Sequence, residues 1–276
     1  DSTTLARYVG LFEQAFPKSA GFSATYLSWL YEQNPEGLAI GFDAWEGPDL
    51  VAHYACIPCM VELEGVPTRA MLSLNTATHP AHQGKGLFTQ LAHLTYEAAA
   101  AQGIQSVFGI ANANSTPGFV RKLGFDLIRP LQAKVGWGGL GIDLPMLKGA
   151  MRFQRIWSLT SLSWRMANPK NQVQGLVIDG RACFFARRKG LWLPAYAEVD
   201  CKQSLVETPE LTAHPLPPRL YLGLVPDGTA KFSGFIDIPQ RLRPSPLNFI
   251  YRSLADAPKR MDPQGLLVSF LDFDAF

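Results

Sequence analysis

The sequence predicts a mixed α/β fold of the α+β kind, with a mostly antiparallel sheet flanked by helices. Three observations predict it. Helix-like and strand-like patterns succeed one another in the first half of the chain. A polar loop containing glycine separates a strand from a helix of strong helix formers. Hydrophobic residues make up 47% of the 276, which is enough for a sizeable core.

Two helices are predicted at the start. Apolar residues recur with helical spacing and so share one face, at Leu5, Val9, Phe12 and Phe16. Pro17 and Gly21 interrupt the pattern, and a second helix is expected to begin at Ser23 or Ala24 and run to about Tyr31.

Three strands are predicted next because short apolar runs alternate with turn residues. The runs are Leu38 to Phe42, Val51 to Val61 and Arg69 to Thr78. The turns between them are Glu46 to Asp49 and Glu64 to Pro67, both of which contain glycine and proline.

The next elements follow from capping signals. The loop His79 to Gly86 leads into a helix, Leu87 to Gln102, which Gly103 ends. A short strand, Ser106 to Ala111, precedes a helix that Thr116 caps and that Gly124 ends, with proline at its first position. Phe125 to Trp137 is predicted to return as one strand.

The second half restarts a pattern found in the first. A Gly- and Pro-rich linker runs from Gly136 to about Pro145. Leu27-Ser28-Trp29 with Asn34-Pro35 recurs as Leu162-Ser163-Trp164 with Asn168-Pro169, each followed by a predicted hairpin. We therefore predict two related domains, 1–140 and 141–276, with chance recurrence as the alternative. The second hairpin is Gly175 to Ile178 with Ala182 to Arg187, and the last strand is Leu266 to Phe273.

The composition argues against several classes of protein. The net charge is only +2. The densest basic cluster, Arg187-Arg188-Lys189, is typical of a solvated hairpin tip, so no nucleic-acid partner is expected. No apolar stretch approaches the ~18 residues of a membrane span, and no signal-peptide pattern is found.

The cysteines are expected to be buried free thiols. Cys56 and Cys59 form a C-x-x-C pair, but neither Cys183 nor Cys201 completes a zinc site, so no metal is expected. Free thiols indicate a reducing compartment, and we predict a cytoplasmic location.

The loop from His82 to Phe88 carries the strongest functional signal. Glycines let consecutive N–H groups point into one concavity, and the following helix adds unpaired N-terminal donors and a positive dipole end. Such a site suits a pyrophosphate, and Lys85 can add charge. A generic glycine turn is the alternative, and neither a Walker loop nor a dinucleotide fingerprint is found.

This region resembles the GNAT superfamily of acyl-CoA-dependent N-acetyltransferases. The family signature (Arg or Gln, two residues, Gly, one residue, Gly or Ala) corresponds to Gln83-Gly84-Lys85-Gly86-Leu87-Phe88. Further along, Asn112-Ala113-Asn114-Ser115 leads to Lys122-Leu123-Gly124-Phe125, which is similar to the family's closing helix. The resemblance covers about residues 20 to 137. It departs at Phe88, which replaces a small residue and whose ring must then turn away from the phosphates.

The resemblance implies a GNAT-like fold that binds acetyl-CoA, followed by a second GNAT-like half that lacks the phosphate loop. Main-chain donors of the loop would hold the pyrophosphate, the end of the preceding strand would bond the pantetheine arm between two splayed strands, and Asn114 would face that arm. The implied binding residues are Ala77, Thr78, His82, Gln83, Gly84, Lys85, Gly86, Leu87, Phe88 and Asn114. For Asn114, a cap or turn role is the alternative.

The usual catalytic side chains of the family do not carry over. Val120 occupies the position of its tyrosine acid, and the strand from Met71 to Thr76 lacks its glutamate base. Candidate replacements near the expected site are His53, Asn75, Tyr26 and His79, each with a purely structural role as the alternative.

Three functions remain open at this point. The chain is an N-acetyltransferase acting on a small primary amine, such as an amino sugar or its nucleotide; an acyltransferase with a longer acyl donor; or a non-catalytic coenzyme A-binding protein. A homodimer or an intramolecular pseudo-dimer is the expected assembly.

Overall fold

The computed structural model describes residues 2–17, 21–178, 180–186, 193–199, 210–211, 218–255 and 261–273. The basic cluster 187–189 and Cys201 lie outside these residues. The helices are α1 Ser2–Ala15, α2 Ala24–Tyr31, α3 Leu87–Ala101, α4 Thr116–Leu123, α5 Leu144–Ala150 and α6 Leu159–Met166.

The strands are numbered along the chain. The first seven are β1 Ile40–Glu46, β2 Asp49–Leu63, β3 Val66–Thr78, β4 Ser106–Ala111, β5 Asp126–Pro130, β6 Gln132–Gly136 and β7 Phe153–Arg155. The others are β8 Val173–Ile178, β9 Arg181–Ala186, β10 Ala195–Val199, β11 Glu210–Leu211, β12 Arg219–Leu224, β13 Phe235–Asp237, β14 Asn248–Ser253 and β15 Leu266–Ser269.

The chain forms two compact units that do not correspond to one break in the sequence. Unit 1 comprises residues 1–60, 68–127 and 250–260, and unit 2 comprises 61–67, 128–249 and 261–276. Unit 1 therefore includes Ile250–Ser253, the second part of β14, from far along the chain. The domain boundary predicted at residue 140 marks where the second half of the sequence begins, and it stays a prediction.

Unit 1 is a mixed sheet with helices on both faces. β1 and β2 pair antiparallel from Ile40↔Cys56 to Glu46↔Asp49. β3 and β4 pair in parallel because α3 crosses between them. On the α3 face, a core of buried apolar residues holds the helix to the sheet, including Tyr54, Met71, Leu91, Tyr96 and Phe119.

Unit 2 repeats this order of pairings. β8 and β9 are antiparallel, β9 and β10 are antiparallel, and β10 and β12 are parallel. The recurring sequence motifs also adopt the same local structure. Each tryptophan is buried on a helix, and each buried asparagine, Asn34 or Asn168, accepts the N–H two residues later. The mixed α/β fold predicted from the sequence is confirmed.

Three predicted boundaries were wrong. Ser115, not Thr116, is the N-cap of α4. The strand predicted from Phe125 to Trp137 is two strands, because Pro130 has no N–H to continue a ladder. The strand predicted from Leu266 to Phe273 ends at Ser269, where Ser269 and Asp272 form a capping box that starts a 3₁₀ turn.

Candidate functional site

The loop before α3 has the geometry of an anion seat. Gly84 and Gly86 have φ of 79° and 78°, a left-handed conformation that favours glycine. Gly86 is the N-cap of α3, and no side chain caps the helix there. Residues 83–86 are exposed, and a Cβ placed on Gly84 would meet nothing within 4 Å. The concavity therefore opens to solvent.

The donors of this loop are available to a ligand. The turn closes on itself earlier, where the His82 N–H donates to the His79 carbonyl at 2.8 Å. Among the described residues, the N–H groups of Gly84, Lys85 and Gly86 have no protein acceptor. The first N–H groups of α3 lack partners by helix geometry. Together these donors point to an anionic ligand of the pyrophosphate kind.

Charged side chains surround the seat. The Lys85 Nζ lies 3.2 Å from the His82 Nδ1. At the end of β1, the Glu46 Oε2 lies 3.6 Å from the His82 Nε2, and the Glu46 Oε1 lies 3.9 Å from the Lys85 Nζ. Because the Glu46 side chain is exposed, its pairs with His82 and Lys85 contribute little to stability. The Lys85 ammonium can therefore leave Glu46 and bind an incoming anion.

Phe88 points into the core, as predicted. Its ring contacts those of Tyr54 and Phe119 at centroid distances of 5.9 and 5.3 Å. A Cβ on Gly118 would lie 3.2 Å from the Phe88 ring, so the glycine makes room for it. The bulky residue at this signature position thus joins α3 to α4 without covering the loop.

β3 and β4 separate beyond their paired segment. The parallel register runs from Ala70↔Ser106 to Ser73↔Gly109, while β3 continues to Thr78. Asn75 lies just past the last pair and has a φ of 47°, in the left-handed region. The predicted pantetheine-binding residues Ala77 and Thr78 follow it at the strand end.

Asn75 also changes the face to which β3 side chains project. Residues two apart on a regular strand share a face. Here the Ser73 hydroxyl bonds the Tyr54 hydroxyl at 2.8 Å, whereas the Asn75 amide bonds the Tyr31 hydroxyl, which meets His53. Since His53 and Tyr54 are adjacent on β2, they point to opposite faces. The left-handed residue therefore turns Asn75 towards α1 and α2.

Two of the predicted catalytic residues, His53 and Asn75, are joined by Tyr31. The Asn75 Nδ2 donates to the Tyr31 hydroxyl at 3.0 Å, and this hydroxyl lies 2.9 Å from the His53 Nε2. The His53 Nδ1 lies 2.7 Å from the Asp43 Oδ1, and the Tyr8 hydroxyl donates to the Asp43 Oδ2 at 2.8 Å. His53 and Tyr31 are buried, and burial raises the pKa of Tyr31 well above its usual value.

The other predicted residues lie elsewhere. Tyr26 is buried among aromatic rings and faces Trp29 at a centroid distance of 5.8 Å. Asn114 is exposed in the turn before α4, where the Asn112 Oδ1 accepts the N–H groups of Asn114 and Ser115 at 3.0 Å. His79 accepts the Ala81 N–H through its Nδ1 at 3.2 Å.

A cleft adjoins the anion seat. It has a volume of about 610 Å³ and lies between α1, the β1–β2 hairpin and the start of the loop. Its polar lining includes Arg7, Glu46, Asp49, His79 and His82. A cleft with two carboxylates beside a phosphate seat can admit a cationic second substrate.

The Cys56 and Cys183 thiols are buried. Burial raises the pKa of Cys56 to about 12 and that of Cys183 to about 11. In the part of the chain that the structure describes, no group of three or more His, Cys, Asp or Glu side chains could hold a metal ion. Of the helices described, none is long and apolar enough to span a bilayer.

Comparison with known proteins identifies the first half. Residues 1–128, which include the glycine loop and α4, match the family model of the acetyltransferase (GNAT) domain. These residues belong to the GNAT acetyltransferase family. The GNAT resemblance predicted from the sequence is thereby confirmed. A comparison with curated protein sequences finds no match.

Solved structures have the same fold over most of the chain. A conserved protein of unknown function from Enterococcus faecalis, described as a probable N-acyltransferase, aligns with a TM-score of 0.52 and 11% identity. A GCN5-related N-acetyltransferase from Anabaena variabilis aligns with a TM-score of 0.51 and 10% identity. Both alignments cover 92% of this chain and 71% of the other. The likeness shows that this chain shares the fold of these proteins.

Sequence reasoning missed Tyr31 and Asp43. A regular hairpin with its turn at Gly47-Pro48 would place Asp43 opposite Ala52, and only the bulge between Ala44 and Trp45 brings Asp43 opposite His53, so the turn alone does not identify Asp43. Nothing in the local sequence marks Tyr31, whose contacts with His53 and Asn75 span 22 and 44 residues.

Proposed function

We propose that the protein is an N-acetyltransferase that moves the acetyl group of acetyl-CoA to a primary amine of a small molecule. The observation that carries the proposal is the exposed loop of left-handed glycines at the uncapped start of α3. Its unpaired N–H groups suit the diphosphate of coenzyme A.

The residues expected to hold the donor follow the order of the loop and strand. The N–H groups of Gln83 to Phe88 would bond the diphosphate, with Lys85 adding charge and His82 lying beside it. The free edge of β3 at Ala77 and Thr78 would bond the pantetheine arm, and Asn114 would face that arm across the separated strands. Acetyl-CoA supplies an acyl carbon activated by a thiolate leaving group.

The acceptor is proposed to enter through the cleft beside the loop. Glu46 and Asp49 would attract an ammonium group there. The class includes amino sugars and nucleotide-linked amino sugars, and a cytoplasmic location fits both substrates. A panel of such amines, assayed by release of the free thiol of coenzyme A, tests acceptor and turnover together. Release with no member of the panel would favour a coenzyme A-binding protein without catalysis.

Replacing Gly86 by valine tests the anion seat. We expect Gly86→Val to weaken acetyl-CoA binding about 100-fold, the equivalent of two lost charge-assisted hydrogen bonds. Valine avoids the left-handed region and would obstruct the approach of the diphosphate. Isothermal titration with acetyl-CoA measures the change.

Gly103→Val is the matched control. Gly103 has the same φ of 78° but follows α3 instead of preceding it; a Cβ there would meet nothing within 4 Å, and one on Gly86 would meet the Gln90 side chain at 3.8 Å. The Gly103 substitution strains the backbone in the same way and should leave the dissociation constant unchanged. Equal dissociation constants for both variants would contradict the proposed anion seat. If long-chain acyl-CoA binds more tightly than acetyl-CoA, the acyl donor is the longer one.

A further inference from the structure

The bonds around His53 have one consistent direction. Asp43 as a carboxylate only accepts, so the His53 Nδ1 carries the proton of the 2.7 Å bond. The His53 Nε2 must then accept, and the Tyr31 hydroxyl donates to it at 2.9 Å. The Tyr31 oxygen in turn accepts from the Asn75 Nδ2 at 3.0 Å. Every proton of the chain therefore points towards Asp43.

This arrangement leaves unused acceptors at its Asn75 end. A hydroxyl oxygen has two acceptor positions, and Tyr31 uses one for Asn75. Because the Asn75 Nδ2 is turned to Tyr31, its Oδ1 is available, and among the described residues no donor reaches it. Asn75 is half-buried where β3 and β4 separate, whereas Tyr31 and His53 are buried behind it.

The groups packed around His53 determine where an added positive charge would be stabilised. Asp43 faces it from β1 and Tyr31 from α2, while α1 contributes the Tyr8 ring at 4.1 Å and the Phe12 ring at 5.7 Å. Asp43 is the only carboxylate in contact with His53 among the described residues, and Tyr8 holds the other oxygen of Asp43. An imidazolium at His53 would be stabilised by Asp43 directly.

We propose that Tyr31, backed by His53 and Asp43, is the general base that deprotonates the acceptor ammonium, and that Asn75 positions the amine. The inference rests on the proposed function and replaces the carboxylate that β3 lacks. The amine contacts Asn75 and, at its unused acceptor position, the Tyr31 oxygen. His53 takes the proton that Tyr31 passes on, and Asp43 positions His53 and stabilises its charge.

The proton and electron balance closes. The ammonium N–H gives its proton to the Tyr31 oxygen as the Tyr31 proton moves to the His53 Nε2, so tyrosine ends neutral and His53 becomes an imidazolium beside Asp43. The freed nitrogen pair attacks the thioester carbon, the C–N bond forms and the C–S bond breaks. The thiolate takes the second nitrogen proton, and His53 later releases its proton to water.

The raised pKa of Tyr31 agrees with concerted transfer. Burial keeps the hydroxyl from ionising alone, so it can accept a proton only while it passes its own proton to His53. This also keeps the base neutral until the amine is bound.

Tyr31→Phe tests the relay. We expect it to lower kcat/KM about 100-fold at pH 7, in line with the loss of a general base, while the dissociation constant of acetyl-CoA stays unchanged. Above pH 7 the loss of kcat/KM should become about tenfold smaller per pH unit for an alkylamine with a pKa of about 10. The free-amine fraction rises about tenfold per pH unit, and free amine needs no base. A merely structural hydroxyl would not change the pH profile.

Tyr96→Phe is the matched control. Tyr96 is also buried and loses a 2.8 Å hydroxyl bond, to Tyr54 on the other face of the sheet. Its pH profile should match the wild type. An acceptor such as hydroxylamine, with a pKa of about 6, is neutral at pH 7, so Tyr31→Phe and His53→Gln should slow its acylation far less than that of an alkylamine. This ratio of two acceptors does not depend on how much of a variant folds.

A second measurement does not need turnover. Nitrogen NMR of the imidazoles, assigned with His53→Gln, should show His53 as the neutral Nδ1–H tautomer. An unchanged pH profile and acceptor ratio in Tyr31→Phe, with acetyl-CoA still bound, would overturn the relay and leave the proposed function standing. Failure of the wild type to bind acetyl-CoA would instead overturn the proposed function.

Discussion

At the scale of single residues, the backbone of Asn75 determines which β3 side chains face Tyr31 and His53. Its left-handed backbone, with φ of 47°, moves its amide to the face of Tyr31 and His53, while Ser73 remains on the face of Tyr54. Asparagine tolerates this conformation better than most residues with a Cβ. The same residue thus sets the backbone and provides the amide.

The two roles of Asn75 can be separated by substitution. We expect Asn75→Gly to unfold at nearly the wild-type free energy, and Asn75→Ala to lose about 1 kcal/mol, because alanine is strained in the left-handed region. Both remove the amide and should lower kcat/KM equally. Urea unfolding and initial rates measure the effects, and equal stability of the two variants would argue against a backbone role.

The buried cysteines are expected to be unreactive. With pKa values of about 12 and about 11, Cys56 and Cys183 are almost entirely thiols at pH 8, and both are buried. Mass spectrometry after brief treatment of the native protein with iodoacetamide should find neither modified. Labelling of Cys56 before unfolding would show that the sheet opens more readily than its burial implies.

At the scale of elements, the start of α3 combines an open surface with a packed underside. The Gly84 and Gly86 amides face solvent, while Phe88, two residues into the helix, packs on Tyr54 and Phe119. Rigid packing beneath the loop holds its donors in place without a ligand.

Phe88→Ala should lower the unfolding free energy strongly and the affinity for acetyl-CoA only weakly. Losing a partly buried ring from the core is expected to cost about 3 kcal/mol of unfolding free energy. The backbone N–H remains, so acetyl-CoA affinity below the melting transition should fall less than in Gly86→Val. Thermal unfolding and titration on the same samples give both quantities, and a reversed order of affinities would contradict the packing role.

The elements predicted well from the sequence are those whose ends are set by neighbouring residues. α3 begins at Leu87 and ends beside Gly103 because glycines at both ends take left-handed angles. The break at Leu131 was missed although it has a local cause in Pro130, which has no N–H to continue a ladder. The anion seat is local in sequence and was predicted, whereas the Tyr31–His53–Asp43 chain depends on how helix and hairpin pack.

At the scale of the whole molecule, both units use the same succession of strand pairings. The parallel pairs end at Ser73 in unit 1 and at Tyr196 in unit 2, and a polar residue, Asn75 or Glu198, follows two positions later. The segment 200–218, between β10 and β12, contains no glycine. The sequence therefore predicts no second glycine loop like that at Gly84, and we expect one diphosphate site per chain.

Unit 1 should not fold from the first half of the chain alone. In the full protein the Arg252 guanidinium donates to the Leu123 carbonyl and lies over the Tyr96 ring at 4.9 Å. Residues 1–140 lack this segment, and β4 would expose an unpaired edge. Circular dichroism and gel filtration of the shortened chain should show an unfolded or aggregated protein, and a cooperative melt of a monomer would refute the expectation.

The late strand has a consequence during synthesis. Ile250 leaves the ribosome about 120 residues after Leu127, a delay of roughly ten seconds at typical elongation speeds. Throughout that interval the nascent unit 1 carries an incomplete sheet. We therefore expect the yield of the protein to rise when chaperones that cover exposed strand edges are co-expressed.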